Sequence, residues 1–203
     1  TNQTKSGEYV VKINKDLVKS EIRMLRRIGY PEDEVRRKVA IFSLPTVVHE
    51  LTHVVTDKQV SVGLNIPLPA GGFNEDEVLA HLAEVKCYRD LLRQGVIAPV
   101  YVRSDSWRNQ DLYQEWISDP ENVIRHVFRN YRNGSIGNYW GLGGIGRRVQ
   151  RQMELQEESN ASAKTDLERK EIEFQLAQNQ AFYSAIKNPK VQEDLTKYYA
   201  DRV

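Results

Sequence analysis

The stretch VVHELTHVV, residues 47–55, places His49, Glu50 and His53 inside an otherwise apolar run. Residues four positions apart lie on one face of an α-helix, so the imidazoles of His49 and His53 can converge on a single ion. The uncharged neighbours predict that this helix lies in the core, where an apolar shell orients metal ligands. Five side chains are expected to form that shell: Val47, Val48, Leu51, Val54 and Val55.

This spacing is the H-E-x-x-H pattern of zinc sites. Glu50 follows His49 directly, so it would face the open side of the metal and accept a proton from a zinc-bound water. The alternative is that both histidines are ordinary core or surface residues without a metal. The uncharged surroundings, and the carboxylates that follow the motif, favour zinc.

Composition narrows the class of protein. The chain has 203 residues, of which 40% are hydrophobic and 28% charged, and a formal net charge of +1. Because the positive and negative charges nearly balance, the chain has no large net positive charge that would attract nucleic acid or an anionic membrane. No uninterrupted apolar run approaches the roughly 18 residues of a membrane span. We therefore expect neither nucleic acid nor membrane as a partner.

Cys87 is the single cysteine, which excludes an internal disulfide framework and a thiolate zinc site. The sequence begins at Thr1 rather than methionine. That start slightly favours a secreted or extracytoplasmic location after removal of a signal peptide, with a cytoplasmic location as the alternative. Neither the oligomeric state nor the substrate preference follows from these features.

Helix signals frame the motif. Pro31 and the acidic residues behind it predict a helix start, and Pro45 predicts that this helix stops near Ser43. A new helix is expected from Pro45 to about Lys58. Asn74 predicts the start of a further helix that Gly95 ends.

Three short segments are candidate strands: residues 9–13, 59–64 and 100–103. Residues 119–132 predict a helix whose buried face carries Val123, Ile124, Val127, Phe128 and Tyr131. The glycine-rich segment at 133–146 predicts a flexible loop. From Arg147 onward the polar, charge-balanced sequence predicts two long surface helices with a weak point at residues 159–162.

The sequence HELTHVVTD, residues 49–57, resembles the active-site helix of thermolysin-like zinc metallopeptidases. The glutamate-rich helix that follows looks like that of the wider gluzincin clan, and the resemblance covers roughly residues 45–90. It implies that His49, His53 and a glutamate from the later helix bind one catalytic Zn²⁺, with Glu50 as general base. It also implies an edge strand that holds a peptide substrate as an added strand.

The third ligand has three candidates. Glu75, Glu77 and Glu84 follow His53 by 22, 24 and 31 residues. Glu77 is favoured because Ala80 and then His81 follow it, as in small gluzincins. In that pattern His81 orients a zinc-bound histidine from outside the ligand shell. Glu75 follows an asparagine, as in thermolysin-like enzymes, and Glu84 shares a helical stripe with Glu77, His81 and Tyr88.

Peptide hydrolysis also needs a donor for the developing oxyanion. Four residues are candidates for this donor, and nothing else in the sequence distinguishes among them: Tyr88, Arg125, His126 and Tyr139. Trp140, in the glycine-rich loop, is expected either to line the cleft or to pack on the core.

The expected fold is mainly α (α+β). It comprises a zincin-like core with a small sheet beside the H-E-x-x-H helix, followed by long C-terminal helices. The expected organisation is a metallopeptidase domain at residues 1–146 and a charged helical extension at residues 147–203. The expected function is zinc-dependent hydrolysis of a peptide or protein substrate. The alternatives are a non-catalytic helical binding module with a structural or vestigial zinc site, and a latent enzyme whose cleft the extension blocks.

Overall fold

The protein is mainly helical, as the sequence predicts. The computed structural model describes residues 2–3, 9–11, 14–97, 116–131 and 144–202. Over these residues the longer elements are α-helices, with a two-stranded ribbon near the start of the chain. The predicted small sheet beside the motif helix is not found among them.

The ribbon pairs β1, Asn2–Gln3, with β2, Tyr9–Val10, in antiparallel register. The predicted strand at 9–13 is therefore confirmed at its first two residues but not at Val11, and residues 12–13 lie outside the described part. The predicted strand at 100–103 also lies outside it.

Helix α1, Lys15–Ile28, ends at Gly29, whose φ of 96° suits glycine. Helix α2 then runs unbroken over Glu32–Lys58, with Pro45 inside it. The predicted break near Ser43 is wrong. Proline removes one N–H, so only the carbonyl of Ile41 loses its helical donor, at a cost of about 3 kcal/mol. Within this helix Pro45 is buried, and so is Phe42, which is 8% exposed.

The predicted strand at 59–64 is also wrong. The backbone instead continues α2 as a π-helical turn, Gln59–Gly63, in which the Leu64 N–H donates to the Gln59 carbonyl over 3.1 Å. The side chain of Ser61 donates to the Asp57 carbonyl over 2.6 Å. The β-branched valines of this turn, Val60 and Val62, favour a strand only where a neighbouring strand can pair with them.

Helix α3, Asn74–Arg93, confirms the predicted start at Asn74 and end at Gly95. Gly95 has a φ of 67°, and its N–H donates to the Leu92 carbonyl over 3.0 Å. Helix α4, Glu121–Asn130, buries Val123 and Val127 as predicted. Phe128, expected on the same buried face, is 44% exposed.

Three helices follow, where two were predicted: α5, Ile145–Ala161, α6, Asp166–Ala185, and α7, Pro189–Ala200. The gap between α5 and α6 covers residues 162–165, so it overlaps the predicted weak point at 159–162 only at Ser162. Asn188 caps α7, and Pro189 begins it, which explains the extra start. The end of the predicted glycine-rich loop is wrong, because Gly144 precedes α5 and Ile145 and Gly146 belong to that helix. Residues 133–143 of the predicted loop lie outside the described residues.

The C-terminal helices are not confined to the surface, because they supply most of one hydrophobic core. Its buried members come from the α2–α3 connection and from α5 to α7: Val60, Ile66, Phe73, Ile145, Val149, Phe182, Ile186, Leu195, Tyr198 and Tyr199.

Chain contacts divide the protein into two units. The first is Thr1–Val54 with Ala80–Arg125, and the second is Val55–Leu79 with His126–Val203. The predicted domain boundary at residue 147 stays a prediction.

The helical segment Glu32–Gly63 is long and apolar enough to cross a membrane by length and composition. Core helices of soluble proteins and signal sequences satisfy the same criterion, although only 17% of its most apolar window is buried. The expectation of no membrane partner therefore stays a prediction.

Candidate metal centre

His49 and His53 face each other on α2, both half-buried. Their Nε2 atoms are 3.2 Å apart, and their ring centroids are 4.9 Å apart in an edge-to-face arrangement. Tetrahedral zinc with Zn–N bonds of about 2.0–2.1 Å holds two ligand nitrogens about 3.3 Å apart. The helix therefore presents the two nitrogens at the separation that one zinc ion requires.

Glu84 on α3 meets His49 from the other side of its ring. Its side chain is buried, and its Oε2 lies 3.3 Å from His49 Nδ1. This contact is at an ion-pair distance, longer than the 2.8 Å hydrogen bond between the same oxygen and His81 Nδ1. It places a carboxylate beside Nδ1, while Nε2 of the same ring faces His53.

His81 shares the same carboxylate oxygen. Its Nδ1 lies 2.8 Å from Glu84 Oε2, and its ring centroid is 4.5 Å from that of His49. His81, Glu84 and His49 thus form a cluster of three possible ligands within the first unit. The sequence predicts contact of His81 with a zinc-binding histidine, and the ring contact with His49 is present.

Trp116 closes one side of His81. It is 2% exposed, and its ring centroid lies 5.2 Å from that of His81. Trp116 is not among the site residues that the sequence predicts. Trp116 is 35 positions after His81 and belongs to no periodic pattern, so no local signal marks it.

The apolar shell predicted around the motif is incomplete. Leu51 is 48% exposed and Val55 is 52% exposed, so one face of α2 is not covered by the described residues. Glu50 is half-buried on the same helix, next to His49. Its role as general base stays a prediction.

Glu75 and Glu77 belong to the second unit, in the first turn of α3, and both are half-buried. Glu77 precedes His81 by four positions, which places both on one face of α3. In the second unit the hydroxyl of Thr56 on α2 donates to the carboxylate of Asp76, which immediately precedes Glu77. Both partners are buried. The choice of Glu77 as third ligand stays a prediction.

The oxyanion candidates have different surroundings. Tyr88 is 1% exposed, and burial raises the pKa of its phenol to about 12, so it stays a neutral donor. Arg125 pairs with Asp119 over 2.7 Å and with Glu121 over 3.2 Å. His126 lies on α4 in the second unit, where its carbonyl accepts from the Asn130 amide over 2.9 Å. Tyr139 and Trp140 lie outside the described residues.

Comparison of the chain with protein-family models, with curated proteins and with solved structures finds no match.

Proposed function

We propose that this protein is a zinc-dependent peptidase. One observation carries the proposal: the Nε2 atoms of His49 and His53 lie 3.2 Å apart on adjacent turns of one helix, with a glutamate between them in the sequence. This is the arrangement that the H-E-x-x-H pattern needs to bind zinc.

The proposed ligands are His49 Nε2, His53 Nε2 and the carboxylate of Glu77. Glu84 is proposed as the carboxylate that orients His49, since its oxygen lies beside Nδ1 and not beside Nε2. A carboxylate in that position raises the basicity of the metal-binding nitrogen and fixes the plane of the ring. His81 is proposed to help hold that carboxylate in place, because its Nδ1 contacts the same oxygen of Glu84.

When bound, zinc supplies Lewis acidity, polarising a carbonyl and making a water molecule more acidic. Glu50 accepts the proton of the attacking water on its carboxylate and then delivers that proton to the leaving amine. The proposed substrate is a peptide or protein. A zincin-like arrangement around the α2 and α3 helices is part of this proposal.

Metal content and turnover test the proposal together. We expect about one zinc per chain in the purified protein, and a large loss of zinc in a Glu77→Gln variant. A Glu50→Gln variant should keep its zinc and lose peptide cleavage by at least 100-fold, the lower bound of general acid–base effects. Asp33→Asn, an exposed change in the first turn of α2, is the control for both measurements. Parental cleavage rates in Glu50→Gln would refute the mechanism, and absence of zinc would refute the centre.

A second candidate function is a non-catalytic binding module with a structural zinc. The cluster of His49, His81 and Glu84 favours it, because these three possible ligands lie together within one unit and Glu84 is buried. A chelator distinguishes the two. Removal of a structural zinc lowers helicity and the melting temperature strongly, whereas a catalytic zinc leaves a folded and inactive protein.

A further inference from the structure

The connection that leads into α3 is held by side chains from the C-terminal helices. This connection, residues 69–73, is called the PAGGF loop after its sequence. Gly71 and Gly72 have φ angles of 87° and 60°, in the region that favours glycine. The backbone N–H and C=O groups of this loop are not part of a regular helix, so they need hydrogen-bond partners from elsewhere in the chain.

Arg148 on α5 supplies two of those partners. Its Nη2 donates to the Gly72 carbonyl over 2.9 Å, and its Nη1 donates to the Ala70 carbonyl over 3.3 Å. Nη1 also donates to the side chain of Gln152 over 2.9 Å. A Cβ on Gly71 would lie 3.5 Å from Nη1, so the guanidinium packs directly against the turn.

Arg148 makes these contacts without an ion pair to any described carboxylate. Burial lowers the pKa of its guanidinium to about 10, so it is still charged near neutral pH. A buried cation is expensive unless hydrogen bonds satisfy it. Two of its three observed bonds go to the PAGGF loop, so the position of the loop and the position of the guanidinium depend on each other.

Asn179 on α6 holds the loop from a second helix. It is fully buried, and its Oδ1 accepts the Ala70 N–H over 3.0 Å. Its amide nitrogen donates to the side chain of Gln156 on α5 over 3.0 Å. The amide group and the carbonyl of Ala70 are thus bound by two different helices.

The loop continues directly into the turn that carries Glu77. Phe73 is 1% exposed, and its ring centroid lies 5.7 Å from that of Phe182 and 5.5 Å from that of Tyr199. The Glu77 N–H donates to the Phe73 carbonyl over 3.2 Å. A shift of the loop would therefore move the first turn of α3.

We propose that Arg148 and Asn179 are positioning residues for the metal centre: by fixing the PAGGF loop they set where Glu77 presents its carboxylate. The inference rests on the proposed function, with Glu77 as third ligand. Metal–ligand distances tolerate only about 0.2 Å, so a small displacement of this turn weakens binding before it unfolds the protein.

Cobalt and zinc titrations of the full chain test this inference. The variants are Arg148→Met, Arg148→Lys, Asn179→Ala and Glu77→Gln. Arg151→Met is the matched control, because Arg151 is on the same helix but is exposed and pairs with Glu154. The readouts are the zinc dissociation constant, the visible absorption of bound cobalt, and the melting curve by circular dichroism, all measured below the melting temperature of each variant.

We expect Arg148→Met and Asn179→Ala to raise the zinc dissociation constant about 10-fold, the usual effect of changing groups that orient ligands. Their cobalt spectra should shift toward that of Glu77→Gln. Lysine offers one ammonium for two carbonyls, so Arg148→Lys should be intermediate. Arg151→Met should match the parent.

Parental zinc affinity and cobalt spectrum in folded Arg148→Met and Asn179→Ala would overturn the inference and leave the proposed function intact. If those two variants fail to fold, Arg148→Lys decides, and parental values in it overturn the inference as well. If the parent itself binds neither zinc nor cobalt, the proposed function fails, and this inference fails with it.

Discussion

Glu84 is the residue that most changes the interpretation of the site. Its sequence position makes it one of three candidate ligands, but the structure places one of its oxygens beside the Nδ1 atoms of both His49 and His81. A carboxylate shared in this way can orient a ligand without binding the metal.

A Glu84→Gln variant distinguishes orientation from ligation. Glutamine keeps the shape but loses the charge, so we expect the zinc dissociation constant to rise about 10- to 100-fold, with binding retained. Competition with a chromophoric chelator measures this constant. Glu171→Gln, an exposed change on α6, should have the parental value. Complete loss of zinc in Glu84→Gln would identify Glu84 as a ligand instead.

Tyr88 gives a prediction for alkaline pH. Its folded pKa of about 12 lies above the ordinary value of about 10, so the folded state keeps a proton that the unfolded chain releases. Its contribution to stability is complete below about pH 10 and is lost as the pH rises toward 12. Tyr88→Phe has no proton to release, so its urea midpoint should fall less than the parent's between pH 9 and pH 11.

The control is Tyr183→Phe, a change at a half-buried tyrosine of α6, with its urea midpoint also measured at pH 9 and at pH 11. An equal fall in the parent and Tyr88→Phe would mean that Tyr88 does not contribute to the alkaline transition.

Residues could be predicted where the signal is local. The separation of His49 and His53 is a property of one helix, so the sequence alone indicates that their rings meet. The contact of Glu84 with His49 depends on how α3 packs, and Trp116 joins His81 across 35 residues, so neither follows from spacing. Glu77 and Glu50 remain predictions.

At the scale of elements, both ends of α3 fall where the sequence predicts them. The end follows from the positive φ of Gly95, whereas at the start Asn74 is the first helical residue and its Oδ1 is buried without a capping hydrogen bond among the described residues. The prediction failed at Pro45, because a proline inside a helix removes a single backbone donor and α2 continues past it. It failed again at 59–64, where β-branched residues continue the helix as a π-helical turn.

Helices α2 and α3 are joined in the second unit by the buried hydrogen bond from Thr56 to Asp76. Thr56→Val keeps the shape and removes the hydroxyl, leaving a buried carboxylate with one donor fewer. We expect the free energy of unfolding to fall by about 1–3 kcal/mol, as measured by urea denaturation. Thr56→Ser keeps the hydroxyl and should retain more of the parental stability.

Thr52→Val is the comparison within the same helix. Its hydroxyl donates to the Val48 carbonyl one turn earlier and joins no second element. A loss as large in Thr52→Val as in Thr56→Val would show that the connection between the helices contributes nothing extra.

At the scale of the whole molecule, the helix signals along the chain correctly predict a mainly helical fold, but the prediction of surface helices for the polar C-terminal segment is wrong. Its sequence is charged overall, yet single apolar residues at helical spacing, such as Phe182 and Leu195, are fully buried. An average over many residues hides these few positions, whereas the core depends on them.

Removal of residues 147–203 therefore tests more than release of a blocked cleft. It deletes six of the ten buried core members: Val149, Phe182, Ile186, Leu195, Tyr198 and Tyr199. Each buried side chain of this size contributes about 1.5–3 kcal/mol, so the loss rivals the roughly 5–15 kcal/mol that stabilises a whole domain.

We expect residues 55–79 to lose amide-exchange protection and the truncated chain to bind zinc poorly. A truncated protein with protected α3 amides and faster peptide cleavage would instead support a latent enzyme with an independent extension. Amide exchange separates the two outcomes, because removal of a segment that completes a core unfolds its partners, whereas removal of a segment that only covers a cleft leaves them folded.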